Sequence, residues 1–335
     1  MIFDSESVFE ENVITVLKQH GWKDGVLRYP TEQDLLDNWK GILYRNNNDI
    51  DRLGKYPLTD GEMAQIIEQI ETLRTPLALN SFVNGRTVSI TRDNKEDVAH
   101  FGKEISLYIY DRKEIAGGKS TYQIAQQPVY PAKNKMLNSR RGDLVLLING
   151  MPLIHIELKK SGIPVSQATN QIEKYAHEGV FTGLFRLVQI FVAMNPDDAV
   201  YFANPGVDKF NPSYYFHWAD YNNEPICGGQ NPGKDEWKLF IGGTSGTAGL
   251  LSIPMAHQLI GFYTIADSAD GCLKVLRSYQ YIAANAISDV VRKCDWEQRP
   301  ATPGRPGGYV WHTTGSGKTM TSFKSAQLIA DSHDA

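Results

Sequence analysis

The chain has 335 residues, with 34 Lys and Arg against 38 Asp and Glu, a formal net charge of −4 and 41% hydrophobic residues. That length gives room for roughly two domains with sizeable cores, and the slightly acidic balance excludes a generally basic nucleic-acid coat protein while permitting a local positive cleft. Cys227, Cys272 and Cys294 are too few and too scattered for a disulfide framework or a Cys-x-x-Cys zinc site, and read as reduced intracellular thiols. The acidic N-terminus has no secretory pattern and no stretch approaches the roughly 18 apolar residues of a membrane span, so the expected setting is the cytoplasm, with no membrane partner.

In chain order, residues 5–20 predict an amphipathic helix, with Ser5 or Ser7 as cap and Phe9, Val13, Ile14 and Leu17 at helical spacing. Residues 60–74 predict a second helix. Residues 86–91, 105–110 and 121–130 carry β-formers and predict strands. A hairpin follows at 143–159, then a helix at about 165–178, then strands at 187–193 and 199–203. These elements imply an α/β layer arrangement, a mixed sheet with helices against it. Residues 204–255, rich in Asn, Gly, Pro and aromatics, are expected to wrap the first domain or lead to the second, with the boundary near 250–265. Beyond it come a helix over 273–293, an irregular segment at 300–308, a short strand Gly308-Tyr-Val-Trp311 and a helix over 319–331.

The hairpin carries the strongest chemical signal. Asp143 opens the apolar run to Ile148, Asn149-Gly150 makes a turn, and the return strand ends in Glu157-Leu-Lys159. Mg²⁺ takes oxygen ligands from one or two carboxylates plus phosphate and water, and Asp143 and Glu157 are the candidate metal ligands. Lys159 lies two residues beyond Glu157, on the same strand face and about 7 Å along it, where an ammonium stabilises charge on a phosphate. Side-chain parity makes this testable. A strict two-residue turn puts Asp143 and Glu157 on opposite faces, so a metal site requires an odd-length loop or a bulge. Gln171 and Tyr175, four apart, share one face of the following helix. Glu10 is within reach from the first helix, but reads as a solvated helix carboxylate. Lys133, Lys135, Arg140, Arg141, Lys159 and Lys160 against Asp143 and Glu157 make the hairpin region basic, either a DNA cleft or a solvated edge.

The second signal is His312-Thr-Thr-Gly315-Ser316-Gly317-Lys318-Thr319, a phosphate-cradling loop between a strand and a helix, with His in place of the usual first Gly. It resembles the superfamily 2 helicase form of this loop. Arg277-Ser-Tyr-Gln280 resembles the adenine-reading Gln motif of such motors, so Gln280 joins Gly315–Thr319 as a candidate ATP contact. The second acidic motif needed for hydrolysis belongs well downstream of Ala335. The expectation is therefore an N-terminal piece of a longer protein, or a truncated product, without ATP turnover of its own.

Asn149–Lys160, Asn170–Tyr175, Gln189-Ile-Phe-Val, Tyr201-Phe-Ala-Asn204 and Gly308–Thr319, in this order, resemble the R (restriction and translocation) subunit of type I restriction–modification enzymes. The resemblance implies a restriction-endonuclease-like nuclease core with flanking helices over 1–255, and the first part of a RecA-like helicase domain over 256–335. It implies that Asp143, Glu157, Lys159, Gln171 and Tyr175 are catalytic, with Mg²⁺ and ATP as cofactors. It further implies double-stranded DNA as substrate, a specificity (S) subunit that reads the target, and a methylase (M) subunit that uses S-adenosylmethionine. Two alternatives stand beside it: a DNA-repair helicase–nuclease acting on ends, and a non-catalytic docking module.

Overall fold

The computed structural model describes residues 2–115, 117–130, 140–207, 209–229, 235–293 and 308–332. Lys133, Lys135, Cys294 and the expected irregular segment at 300–307 lie outside the described residues.

Helix α1 (Glu6–Gln19) starts where Ser5 Oγ accepts the Val8 N–H at 3.3 Å. Strand β1 (Val26–Arg28) leads to α2 (Glu32–Asn46), opened by a capping box of Thr31 and Asp34, and α3 (Asp60–Thr72) has the same device in Thr59 and Glu62. Helix α4 (Pro76–Asn84) follows, with Pro in its first turn. Strands β2 (Thr87–Thr91) and β3 (Glu104–Tyr108) pair only with each other, so the expected strands there form a separate hairpin and not part of the main sheet.

The main sheet collects β1, β4 (Tyr122–Gln126), β7 (Leu144–Ile148), β8 (Met151–Leu158), β9 (Ile190–Met194) and β10 (Ala199–Ala203) in the order β1-β4-β7-β8-β9-β10. The β1–β4 and β8–β9 pairs are parallel and the others antiparallel, the expected mixed sheet. A short arm, β5 (Val129–Tyr130) with β6 (Arg140–Arg141), extends beside it. Helix α5 (Val165–His177) covers one face: its Ala168 and Ile172 pack with Phe191 and Ala193 of β9. The alternate residues Ile190, Val192 and Met194 enter the main core on the other face, which Phe9, Leu35 and Trp39 share. Covered on both sides, β7 and β8 are buried at every residue, and that explains their unbroken apolar runs.

The β7–β8 turn has two residues in the left-handed region, Asn149 at φ 52° and Gly150 at φ 83°, and pairs Ile148 with Met151. Left alone, that turn would separate Asp143 from Glu157. However, Leu147 pairs with Pro152 and Leu146 with Ile154, so Leu153 is an extra residue and the register shifts. Proline has no N–H to give the ladder, which is why the irregularity sits next to Pro152. Gly150 also lies against α2: an added Cβ would meet Trp39 Cα at 2.9 Å at a backbone angle that side chains avoid. Gly150→Ala should lower the unfolding free energy by about 2–4 kcal/mol, from left-handed strain plus overpacking, as urea denaturation would measure.

The segment after β10 does wrap the first part of the chain. Trp22 Nε1 donates to Leu251 O at 2.6 Å, and Trp237 at the start of α6 (Glu236–Gly242) packs edge-on to Phe9 at 5.2 Å. Helix α7 (Met255–Phe262) leads to a hairpin of β11 (Thr264–Asp267) and β12 (Cys272–Val275), then α8 (Ser278–Lys293) and α9 (Lys318–Ser332). Two expectations are corrected here. The helix expected from 273 begins at Ser278, because Cys272–Val275 pair as a strand. Gly308–Trp311 is not a strand; no described residue pairs with it, and Tyr309 and Trp311 are exposed. Among the described residues no helix is long and apolar enough to cross a membrane.

Candidate active site and phosphate loop

The Leu153 bulge places Val145 opposite His155 and Leu144 opposite Ile156, so Asp143 comes opposite Glu157 at the strand ends. The site therefore has the parity a shared cation needs. Asp143 Oδ2 accepts the Leu158 N–H at 2.6 Å, which ties the first carboxylate to the strand carrying the second. Glu157 is fully buried, and neither of its carboxylate oxygens has a hydrogen-bond partner. Lys159 Nζ lies 3.8 Å from Glu157 Oε1 and 3.6 Å from Glu6 Oε1, and donates to Leu158 O at 2.9 Å.

The electrostatics follow from this crowding. Burial pushes the Glu157 carboxyl up to about 8, against the pull of the Lys159 ammonium. Burial, then the Glu157 charge, also raises Asp143 well above the carboxylate range, although the Leu158 N–H and Lys159 oppose it. Glu10 is raised by burial as well, despite the Gln126 and Gln127 amides that donate to it. It is buried beside the site, and the reading as a solvated helix carboxylate is corrected: α1 turns this residue inward, against Gln126 and Gln127 at the end of β4.

A divalent cation fits this donor set. Two carboxylates held in low dielectric without enough positive charge, one of them with both oxygens unpartnered, are what a cation would neutralise. Among the described residues no group of three or more His, Cys, Asp or Glu is placed to hold a metal ion, so the side-chain ligands here would be the two carboxylates alone, with water and phosphate as the rest.

Gln171 Nε2 donates to the Tyr175 hydroxyl at 2.7 Å, and that hydroxyl donates to Arg141 O at 2.9 Å. Tyr175 thereby anchors α5 to the segment leading into Asp143, with Gln171 held on the outer side. Of the basic residues, Arg141 and Lys160 are exposed, while Arg140 is engaged by Glu178 at 2.8 and 2.9 Å. The sequence reading did not single out His155 or Tyr130, whose ring nitrogen Nδ1 and hydroxyl lie 2.8 Å apart behind Glu157. The signal for His155 was a polar residue two positions before Glu157 in an apolar strand.

The phosphate loop has its two glycines in the left-handed region, Gly315 at φ 80° and Gly317 at φ 78°. Lys318 and Thr319 begin α9 and are exposed, and Lys318 Nζ donates to Thr313 O at 3.1 Å. His312 Nδ1 lies 2.9 Å from Ser316 Oγ, so the residue in place of the usual first Gly braces the loop. Gln280 Nε2 donates to Ser316 O at 3.2 Å and Gly317 O at 3.3 Å, while its Oε1 accepts the Arg277 N–H. A Cβ at Gly317 would collide with that amide. A cavity of about 180 Å³ adjoins the loop, lined by Gln280, Phe202, Tyr215 and by Arg277, whose guanidinium stacks on Phe216 at 4.4 Å.

Residues 4–210 match the family described as "Type I restriction enzyme R protein N terminus". The chain belongs to that family. Members of the type I restriction R family among its relatives include the "Type I restriction enzyme SsaAORF53P endonuclease subunit" of Staphylococcus saprophyticus, 30% identical over 100% of this chain and 31% of that protein. The "Type I restriction enzyme SauCOLORF180P endonuclease subunit" of Staphylococcus aureus is 31% identical over 100% of this chain and 31% of its own length. The "Type I restriction enzyme EcoprrI endonuclease subunit" of Escherichia coli is 26% identical over 92% of this chain and 90% of its own length. This R-family chain thus spans about a third of the staphylococcal relatives. Residues 279–335 also match the "SWI2/SNF2 ATPase" family, over the stretch that holds the phosphate loop.

Proposed function

We propose that this chain carries the Mg²⁺-dependent, double-strand DNA endonuclease domain of a type I restriction–modification enzyme and the beginning of its ATP-driven motor. The observation that carries the reading is the Leu153 bulge, which brings Asp143 and the unpartnered Glu157 together with Lys159 beside them. Asp143 and Glu157 would hold Mg²⁺, which would supply positive charge against the scissile phosphate and lower the pKa of a water. Lys159 places a further positive charge where the phosphate gains negative charge, in a site whose low dielectric strengthens it. Tyr175 and Gln171 hold the edge of α5 over the approach to Asp143, and the exposed Arg141 and Lys160 face the DNA backbone.

Residues 1–255 form the nuclease part in this reading and 256–335 the start of a RecA-like domain. Gly315–Thr319 cradle the phosphates of ATP, with Gln280 holding the loop's carbonyls as well as lying beside the base pocket. In the full-length enzyme, cleavage is coupled to ATP-driven translocation in the cytoplasm. An S subunit selects the DNA and an M subunit brings S-adenosylmethionine chemistry. The docking-module alternative expects no metal site, Asp143 and Glu157 on opposite faces, and metal-independent binding; the register beyond the bulge speaks against the second of these.

The test uses the full-length protein assembled with its M and S subunits on covalently closed DNA. Linearisation should need Mg²⁺ and ATP, and Asp143→Asn should abolish it while ATP hydrolysis continues. Cutting in EDTA, or undiminished cutting by Asp143→Asn, would overturn the reading. Digestion of linear ends without the S subunit would favour the end-acting repair nuclease.

A further inference from the structure

We propose that His155 is a positioning residue for Glu157, set in its tautomer by Tyr130, so that the site reads Tyr130–His155–Glu157 from the core outward. The proposal rests on the reading of Asp143 and Glu157 as cation ligands and adds to it a supporting pair that fixes one of them.

His155 and Glu157 project from the same face of β8, and both are fully buried. The imidazole is packed edge-on among Phe181 at 5.4 Å, Phe191 at 6.0 Å and Tyr175 at 6.4 Å between ring centres. Its Nδ1 lies 2.8 Å from the Tyr130 hydroxyl. Its Nε2 has no aligned hydrogen bond and faces Glu157 Oε2 at 3.3 Å, an oxygen that is equally unpartnered. Two orphaned polar atoms facing each other in a dry site point to one bond that a small shift of the carboxylate completes. Tyr130 donating to Nδ1 leaves the proton on Nε2, the tautomer that can donate to an ionised Glu157. The opposite tautomer would aim a lone pair at a carboxylate.

Gly142 gives a second, independent observation. A Cβ there would meet the Tyr130 hydroxyl at 2.5 Å and His155 Cε1 at 2.8 Å, so the residue directly before Asp143 must be glycine for the pair to fit. Space is reserved for this contact at the point where the first ligand leaves its strand. With Oε2 held by the imidazole, Oε1 is the atom turned toward Lys159, 3.8 Å away, and toward a cation. Such outer partners orient metal-binding carboxylates and are worth about 10–100-fold in metal affinity.

The experiment is Mn²⁺ binding to the full chain by calorimetry and electron paramagnetic resonance, with ¹⁵N resonances of the His155 ring as a second readout. His155→Phe should weaken Mn²⁺ binding about 10–100-fold, and His155→Gln, which keeps an N–H donor, should stay within about threefold of wild type. With Mg²⁺ bound and Glu157 therefore ionised, Nε2 of the wild-type ring should carry the proton, and its resonance should shift on adding Mg²⁺ but not in Glu157→Gln. Wild-type Mn²⁺ affinity in a folded His155→Phe, or an Nδ1-protonated ring in the Mg²⁺-bound wild-type protein, would overturn the proposal. The ring measurement decides the matter should His155→Phe not fold. Failure of the underlying reading looks different: Asp143→Asn and Glu157→Gln would then bind Mn²⁺ as the wild type does.

Discussion

Lys159→Ala in the assembled enzyme is expected to lower double-strand cleavage by about 10³-fold or more, with ATP-driven translocation retained. Two losses compound. The ammonium, 8% exposed and 3.8 Å from Glu157 Oε1, is placed to stabilise charge on the phosphate, and removing one such donor costs about 10²–10³-fold. It also pulls down the carboxyls of both Asp143 and Glu157, so its removal raises them further and weakens the cation they hold. The fold should survive, since the side chain makes its one hydrogen bond to the carbonyl of its chain neighbour Leu158. Lys159→Arg should not restore activity, because a planar guanidinium cannot occupy the place of a compact ammonium. Cleavage within tenfold of wild type by Lys159→Ala would remove this residue from the mechanism.

The second large effect is on stability. In the folded, metal-free protein the Glu157 carboxyl is raised from 4.5 to about 8. Between those values the folded chain keeps a proton that the unfolded chain has released, so stability falls as pH rises through that window and levels off above it. At about 1.36 kcal/mol per unit, the contribution amounts to a few kcal/mol. Glu157→Gln keeps the shape and removes the titration. In EDTA the variant should therefore be more stable than wild type, by about 2–4 kcal/mol at pH 8.5 and by little near pH 5. Mg²⁺ at a hundred times its dissociation constant should return about 2.7 kcal/mol to the wild type and nothing to the variant. Urea unfolding across pH 4.5–9 checks this. A wild type that gains stability relative to Glu157→Gln from pH 5 to 8 in EDTA would contradict the buried, unpartnered state of Glu157.

Much of the central sheet was legible because covered strands leave apolar runs with punctuation: Asp143, Asn149-Gly150 and Lys159 bound β7 and β8, and Ser5 marks α1. Parity was legible only as a requirement. Nothing local distinguishes a three-residue loop from a two-residue turn with a bulge, although Pro152 is the residue a ladder tolerates least. Helix α2 was missed although Thr31 and Asp34 form its capping box, because its buried residues Leu35, Trp39, Ile42 and Leu43 are few among polar ones. Strand β12 was absorbed into the helix after it, since Leu273, Val275 and Leu276 read equally well at either period, and β11 was not read. Glu10, His155 and Tyr130 were hidden for a different reason: their roles come from contacts far along the chain, such as Glu10 with Gln126 and Tyr130 with His155.

Anomalous diffraction from crystals of this chain soaked in Mn²⁺ decides whether Asp143 and Glu157 hold a cation. One peak bound by both, with Lys159 beside it, is expected. Ordered carboxylates with no peak between them, or the two side chains on opposite faces of the hairpin, would contradict it and leave the phosphate loop as the chemistry this chain carries.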